Sequence, residues 1–302
     1  AGLEAFFEST LRGLPETVLV EVNARGQGVR KTISSPREKG SDLYLTIDSR
    51  MQKNLENFLA ARLAEKKLKK AAAVVLDPSN GEVLALVSLP AFNPLDFQVG
   101  EAEQINKLFQ DLDQPLFPRA IAGVYPSGST IKPILALAAL EQGLIRPQDR
   151  VLSTGGLQVG QWFFPDWKEG GHGLVNLFDA LAWSVNTYFY MVGGGYNRQV
   201  GLGLSGIQKY FDSFRLGKKT KVELPNESPG FYPTPEAVGK RASSWYIGDT
   251  YNLSIGQGEL GVTPLQVALM MSAFANGGTL FKPMIVSRIL DVKGQTRVSP
   301  PE

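Results

Sequence analysis

Ser129 and Lys132 lie three residues apart in Tyr125-Pro126-Ser127-Gly128-Ser129-Thr130-Ile131-Lys132-Pro133, a spacing that on a helix places a hydroxyl and an amine on one face. A serine hydroxyl is a poor nucleophile until a base takes its proton, and an amine can be that base only when neutral. Burial makes a neutral lysine, because a low-dielectric surrounding penalises the ammonium. A helix N-terminus adds N–H groups and partial positive charge that favour an oxyanion on an attacked carbonyl. The chemistry that fits is acyl transfer through a serine ester. Ser-Xaa-Xaa-Lys also arises by chance, so it needs a second motif beside it.

Ser184-Val185-Asn186 is that second motif. It follows the helix-like Leu177-Phe178-Asp179-Ala180-Leu181-Ala182-Trp183 and sets a hydroxyl that can relay protons beside a carboxamide that can hold a substrate amide. The same residues would also serve as a helix cap. Asp166 and the single histidine, His172, have two readings as well: ligands to a metal, or parts of a structural Gly171-His172-Gly173 turn. With one histidine and no cysteine, the turn is the reading taken, and no metal or cofactor is expected.

Several elements must position these groups. Ile134-Leu135-Ala136-Leu137-Ala138-Ala139-Leu140 is apolar on every face, which predicts a buried helix with Ser129 at its mouth and Pro133 confined to its first turn. Ala72-Ala73-Val74-Val75-Leu76 and Val83-Leu84-Ala85-Leu86-Val87 flank Pro78-Ser79-Asn80-Gly81, a hairpin pattern. Met51, Leu55, Phe58, Leu59 and Leu63 share one face of a helix that ends in the charge run Lys66, Lys67, Lys69 and Lys70. Residues 1–42 read as a small accessory piece: a helix over 3–11 closed by Arg12-Gly13, a strand over 17–22 and a polar linker over 34–40. Further along, a surface helix is expected over 101–112, loops over 151–175 and irregular chain over 229–248. Residues 188–192 and 207–214 read as helical, and 263–275 as an apolar helix stopped by Asn276-Gly277-Gly278.

Taken together, the two motifs resemble those of the penicillin-binding proteins, and within them the class B, elongation-type transpeptidases known as penicillin-binding protein 2. The likeness runs through Gly2-Leu3-Glu4 to Leu11-Arg12-Gly13, Leu45-Thr46-Ile47-Asp48 and Val75-Leu76-Asp77-Pro78-Ser79-Asn80-Gly81-Glu82-Val83-Leu84-Ala85. It continues at Gly171-His172-Gly173 and at Ser254-Ile255-Gly256-Gln257-Gly258, which leads to Thr263-Pro264-Leu265-Gln266. The resemblance implies an α+β serine-transpeptidase fold, an antiparallel sheet flanked by helices. It implies that residues 1–42 are the C-terminal part of a pedestal and 43–302 the transpeptidase domain. It also implies roles: Ser129 as acylated nucleophile, Lys132 as general base, Ser184 as proton relay and Asn186 as holder of the substrate's peptide. The family's third motif, Lys-Ser/Thr-Gly, should follow the Gly-Gln-Gly stretch. Lys219-Thr220-Lys221 lies upstream of that stretch and puts a bulky lysine where the backbone must pass close to substrate, so it does not qualify. The expectation is that the chain, ending at Pro300-Pro301-Glu302, stops before the strands that would carry the motif.

Composition bounds the rest. With 302 residues, 43% hydrophobic and 20% charged, the chain can bury one large core or two smaller ones. A net charge of +2 offers no broad attraction for nucleic acid, and the absence of cysteine rules out a disulfide framework. No signal peptide and no run of about 18 apolar residues is found. The resemblance nevertheless implies a place at the extracytoplasmic (periplasmic) face of the inner membrane, with a single N-terminal anchor outside these residues. It implies a D,D-transpeptidase that cross-links peptidoglycan stem peptides during elongation, is acylated by β-lactam antibiotics, and works with a membrane glycosyltransferase. A serine β-lactamase or β-lactam sensor shares the nucleophile motif but usually lacks an accessory piece such as residues 1–42, and a non-catalytic wall scaffold would accommodate the missing third motif.

Overall fold

The structure, a computed structural model, describes residues 2–100, 102–240, 244–291, 294 and 296–297. The chain divides into two compact units, one of Ala1–Leu89, Lys221–Glu227 and Ser272–Glu302, the other of Pro90–Thr220 and Ser228–Met271.

The first unit opens with α1 (Gly2–Phe6) and α2 (Glu8–Leu11). The single helix expected over 3–11 breaks at Phe7, whose φ of −103° and ψ of 23° leave the helical region. β1 (Thr17–Val22) then pairs antiparallel with β2 (Gly28–Ser35). β2 runs into the stretch expected as linker. Every residue of both strands is exposed, so there is no buried face to print an alternating pattern on the sequence. After β3 (Asp42–Leu45), the Asp48 carboxylate accepts from the Met51 amide at 2.9 Å and caps α3 (Ser49–Glu65).

The inner face of α3 runs through Gln52, Leu55, Leu59 and Leu63, while Met51 and Phe58 are exposed. That face is rotated from the expected one because Gln52 is drawn inward: its Nε2 donates to Leu86 O at 2.9 Å and its Oε1 accepts from Leu86 N–H at 2.8 Å. β4 (Ala71–Leu76) and β5 (Val83–Leu89) form the expected hairpin, and β5 alternates between buried and half-buried residues.

The second unit begins with α4 (Leu95–Val99), α5 (Ala102–Gln110) and α6 (Arg119–Ala122). α5 falls within the surface helix expected over 101–112, whose first residue, Glu101, lies outside the described residues. A 3₁₀ turn (Gly128–Ile131) leads straight into α7 (Lys132–Glu141). The stretch 151–175, expected as loop, holds two small antiparallel pairs: β6 (Val151–Ser153) with β9 (Gly173–Val175), and β7 (Gly156–Val159) with β8 (Trp162–Pro165). Strands of three or four residues are too short for alternation to register.

There follow α8 (Leu177–Ala182), α9 (Asn186–Gly194), α10 (Gly203–Ser213), α11 (Pro235–Gly239), α12 (Ile247–Ser254) and α13 (Pro264–Ala275). α11 and the start of α12 lie where irregular chain was expected; residues 241–243 of that stretch lie outside the described residues. α13 stops at Asn276, whose Oδ1 accepts from the N–H groups of Gly278 and Thr279. Back in the first unit, β10 (Val286–Leu290) pairs with β3, and β11 (Thr296–Arg297) with β10. The chain end at Pro300-Pro301-Glu302 lies outside the described residues. Among the described residues, no helix is long and apolar enough to cross a membrane.

The core of the second unit gathers around α7 and α9. Ile131, Ile134, Leu135, Tyr188, Phe189 and Leu253 are all but sealed from solvent. Burial of each large aliphatic side chain stabilises by about 1.5–3 kcal/mol, so the helix that carries Lys132 is firmly seated. The Ala/Leu run reads correctly from sequence: Ile134, Leu135, Ala136, Ala138 and Ala139 are buried, on several faces of α7.

Candidate active site

Ser129 belongs to the 3₁₀ turn, not to α7 itself. With three residues per turn in place of 3.6, side chains at i and i+3 eclipse, so Ser129 and Lys132 project to one side. Gly128 has φ +54° and donates its N–H to Gly256 O at 2.9 Å. Gly256, at φ +74°, sits so close to the Gly128 carbonyl that a Cβ there would collide with it. The Ser254–Gly258 stretch noted in the sequence is thus bonded to the turn that carries Ser129. Tyr125 pairs with Val262 through two 2.9 Å backbone bonds and fixes the approach from the other side.

Ser129 is exposed, whereas Lys132 is only 2% exposed. The Lys132 Nζ donates to Ser184 O at 2.8 Å, Ser184 Oγ at 3.0 Å and Asn186 Oδ1 at 2.7 Å, and it faces the Phe189 ring at 5.3 Å. Burial pushes this amine down to about 8, against the charge of Asp166, which pulls it up. Ser129 Oγ accepts from Ser184 Oγ at 2.7 Å. The helical spacing led us to expect a direct exchange between Ser129 and Lys132. Three acceptors before and within α9 instead draw Nζ across, and Ser184 Oγ bridges the two.

Ser184 follows the end of α8, where Ser184 N–H donates to Leu181 O at 3.3 Å and Val185 N–H to Ala180 O at 2.9 Å. Its φ of +55° lies in the left-handed region, which costs a non-glycine residue about 1–2 kcal/mol. Asn186 is the first residue of α9. Immediately after β8, Asp166 is 9% exposed. Its Oδ2 accepts from Thr187 N–H at 2.9 Å, Thr187 Oγ1 at 2.7 Å and Ser153 Oγ at 3.4 Å. Its Oδ1 accepts from Trp167 N–H at 2.8 Å and Asn186 N–H at 3.2 Å. Burial works against ionisation of this carboxyl, but the bonds from Thr187, Asn186 and Trp167 outweigh it and hold the group below its ordinary value.

The His172 ring packs 5.0 Å from Trp167 and stacks on Trp183 at 6.2 Å, with both ring nitrogens buried and without a hydrogen-bond partner among the described residues. Asp166 directs both oxygens to neighbouring donors, and the His172 ring lies against two indoles. Among the described residues no group of three or more His, Cys, Asp or Glu side chains is placed to hold a metal.

A cleft of about 980 Å³ opens at Ser129, lined among others by Trp167, His172, Trp183, Asn186 and Gln257. All four sequence-derived candidates, Ser129, Lys132, Ser184 and Asn186, meet in one hydrogen-bonded cluster. Three features escaped the sequence reading: the grip of Asp166 on α9, the indole walls of Trp167 and Trp183, and the contact of Gly128 with Gly256. Asp166 fell within the 151–175 stretch read as loop, and nothing local to it points to Thr187.

Residues 71–302 match the penicillin binding protein transpeptidase domain, and the chain belongs to that family, with its mixed α+β fold. Among curated relatives, the peptidoglycan D,D-transpeptidase MrdA of Acinetobacter baumannii is 37% identical over 289 residues, covering 94% of this chain and 41% of that protein. Of the solved structures, that of Pseudomonas aeruginosa PBP2 in complex with WCK 5153 is similar with a TM-score of 0.81 and 33% identity, over 98% of this chain and 59% of that one. A chain of a peptidoglycan synthase complex, solved for its coordination of polymerisation and crosslinking, has a TM-score of 0.80 and 31% identity, over 99% of this chain and 53% of that one. The chain spans less than half the length of the curated relatives it matches.

Proposed function

We propose that this chain carries the acylation site of a D,D-transpeptidase that cross-links peptidoglycan stem peptides during cell-wall elongation. The observation that carries the reading is the continuous run of hydrogen bonds from Ser129 Oγ through Ser184 Oγ to the buried Lys132 Nζ. A neutral Lys132 has two N–H groups, which suit the Ser184 carbonyl and Asn186 Oδ1, and one lone pair, which suits the Ser184 hydroxyl proton. Ser184 is then free to accept the proton of Ser129.

As that proton moves, Ser129 Oγ attacks the penultimate D-Ala carbonyl of a stem pentapeptide. The C–N bond breaks and the terminal D-Ala leaves with a proton returned along the same path, while the acyl group remains as a Ser129 ester. An amine of a second stem attacks the ester, passes its proton back through the relay and releases Ser129. The Oδ1 of Asn186 is taken by Lys132, which leaves its NH₂ to hold a substrate carbonyl.

β-Lactams acylate the same Ser129. Likeness to MrdA and to a chain of a synthase complex supports a membrane glycosyltransferase as partner and a membrane-anchored place on the periplasmic face. We further take residues 1–42 as pedestal and 43–302 as the transpeptidase part.

Intact-mass measurement of the gene product after penicillin treatment tests the assignment. One adduct is expected, and none in Ser129→Ala; an adduct that survives the substitution rejects the nucleophile. Sustained release of hydrolysed penicillin would point to a β-lactamase in its place.

A further inference from the structure

We infer that Asp166 is a positioning residue for the acyl transfer, holding the Ser184-Val185-Asn186 turn against Lys132 by gripping the first turn of α9 with one buried carboxylate. Its two oxygens take the N–H groups of Asn186 and Thr187 together with the Thr187 hydroxyl. The same oxygens bind Trp167 N–H and Ser153 Oγ, so the carboxylate joins α9 to the ends of β8 and β6. Asn186 is held at its backbone by Asp166 and at its Oδ1 by Lys132, so fixing the first settles where the second meets Nζ.

An anion at the start of α9 is also favoured by the helix dipole. The negative charge bears on the reaction as well: it favours the ammonium form of Lys132 while burial opposes that form. The other titratable groups here are Tyr190 on α9 and His172 beside β9. Burial, and then Asp166, push the Tyr190 hydroxyl up to about 12, and it donates to Pro165 O at 3.1 Å. His172 donates its backbone N–H to Ser153 Oγ at 3.3 Å.

The test follows the Lys132 ¹³Cε signal through a pH titration of the gene product, assigned with Lys132→Arg, alongside the rate of penicillin acylation. In Asp166→Asn the Lys132 midpoint is expected to move to lower pH, because the opposing charge is gone. Thr187→Val keeps the charge but loses one strut. Its midpoint should stay in place while acylation slows on the order of tenfold to a hundredfold, as expected of a misplaced reacting group. Asp166→Glu should restore the midpoint but not the rate, since the added methylene shifts the grip.

An unchanged or raised midpoint in Asp166→Asn overturns the proposal. So does wild-type acylation in both Thr187→Val and Asp166→Glu, which decide the matter if Asp166→Asn fails to fold. Because its ring lies between the indoles that wall the same cleft, His172→Gln is the control. It should leave the Lys132 midpoint in place, and a shift as large as that in Asp166→Asn would assign the effect to the imidazole. The rate arm rests on the transpeptidase reading but the titration does not: a wild-type protein that never acylates refutes the former and leaves the latter decisive.

Discussion

Ser184 makes two links through one unusual conformation. Its left-handed backbone turns its carbonyl toward Lys132 while its hydroxyl reaches Ser129, so the links to both groups depend on one residue, which under the proposed mechanism carries the proton. Ser184→Ala should therefore leave the fold standing and slow penicillin acylation by about 10²–10⁴-fold, the usual contribution of a positioned proton-transfer group. Stopped-flow measurement with a chromogenic β-lactam checks it. Lys132 gives a pH prediction with a definite sign. Below about 8 the amine is an ammonium and cannot take a proton, so acylation should rise with pH through about 8 and then level off. Its folded value lies under the ordinary 10.5, so this group adds stability as pH rises from about 8 to 10.5 and none on further acidification. At this scale the four candidate residues were legible because each motif is local. Asp166 was not, because its meaning depends on Thr187, 21 residues away.

Among the elements, the 3₁₀ turn and α7 have the most to lose. Gly256→Ala puts a methyl group into the Gly128 carbonyl at a backbone angle that alanine resists. We expect a loss of about 1–3 kcal/mol, read as a lowered Tm, together with slower acylation as the nucleophile turn shifts. In the first unit, Gln52→Ala removes both side-chain bonds to Leu86 and leaves a half-buried backbone pair short of partners. Chemical denaturation should show a cost of about 1–3 kcal/mol. α7, the β4–β5 hairpin and α13 were readable because an apolar pattern runs their whole length. The face of α3 was misjudged because a glutamine satisfied by two backbone bonds can point inward as well as a leucine can. β6 to β9 were missed because strands so short are specified by their partners, not by their own periodicity.

For the molecule as a whole, the family and the α+β fold were within reach of the sequence because its landmarks recur in order along nearly the full chain. The division into units was harder to see, because the first unit is assembled from three separate stretches and the second from two. Limited proteolysis under mild denaturation, read by mass spectrometry, should release fragments whose boundaries fall near residues 89 and 272, where the chain passes between units. Scattered cuts with no preference for those positions would argue against two cooperative units.

The union of β3 with β10 has a temporal consequence. The Thr46 hydroxyl donates to Met284 O, a partner 238 residues further along the chain. During synthesis the early strand must wait, unpaired, while the whole second unit emerges and closes over its own local contacts, since distant pairings form last. The ribosome thus delivers Ser129 before the frame around the first strands can be completed, and any pause in translation before residue 284 would leave β3 open to foreign edges.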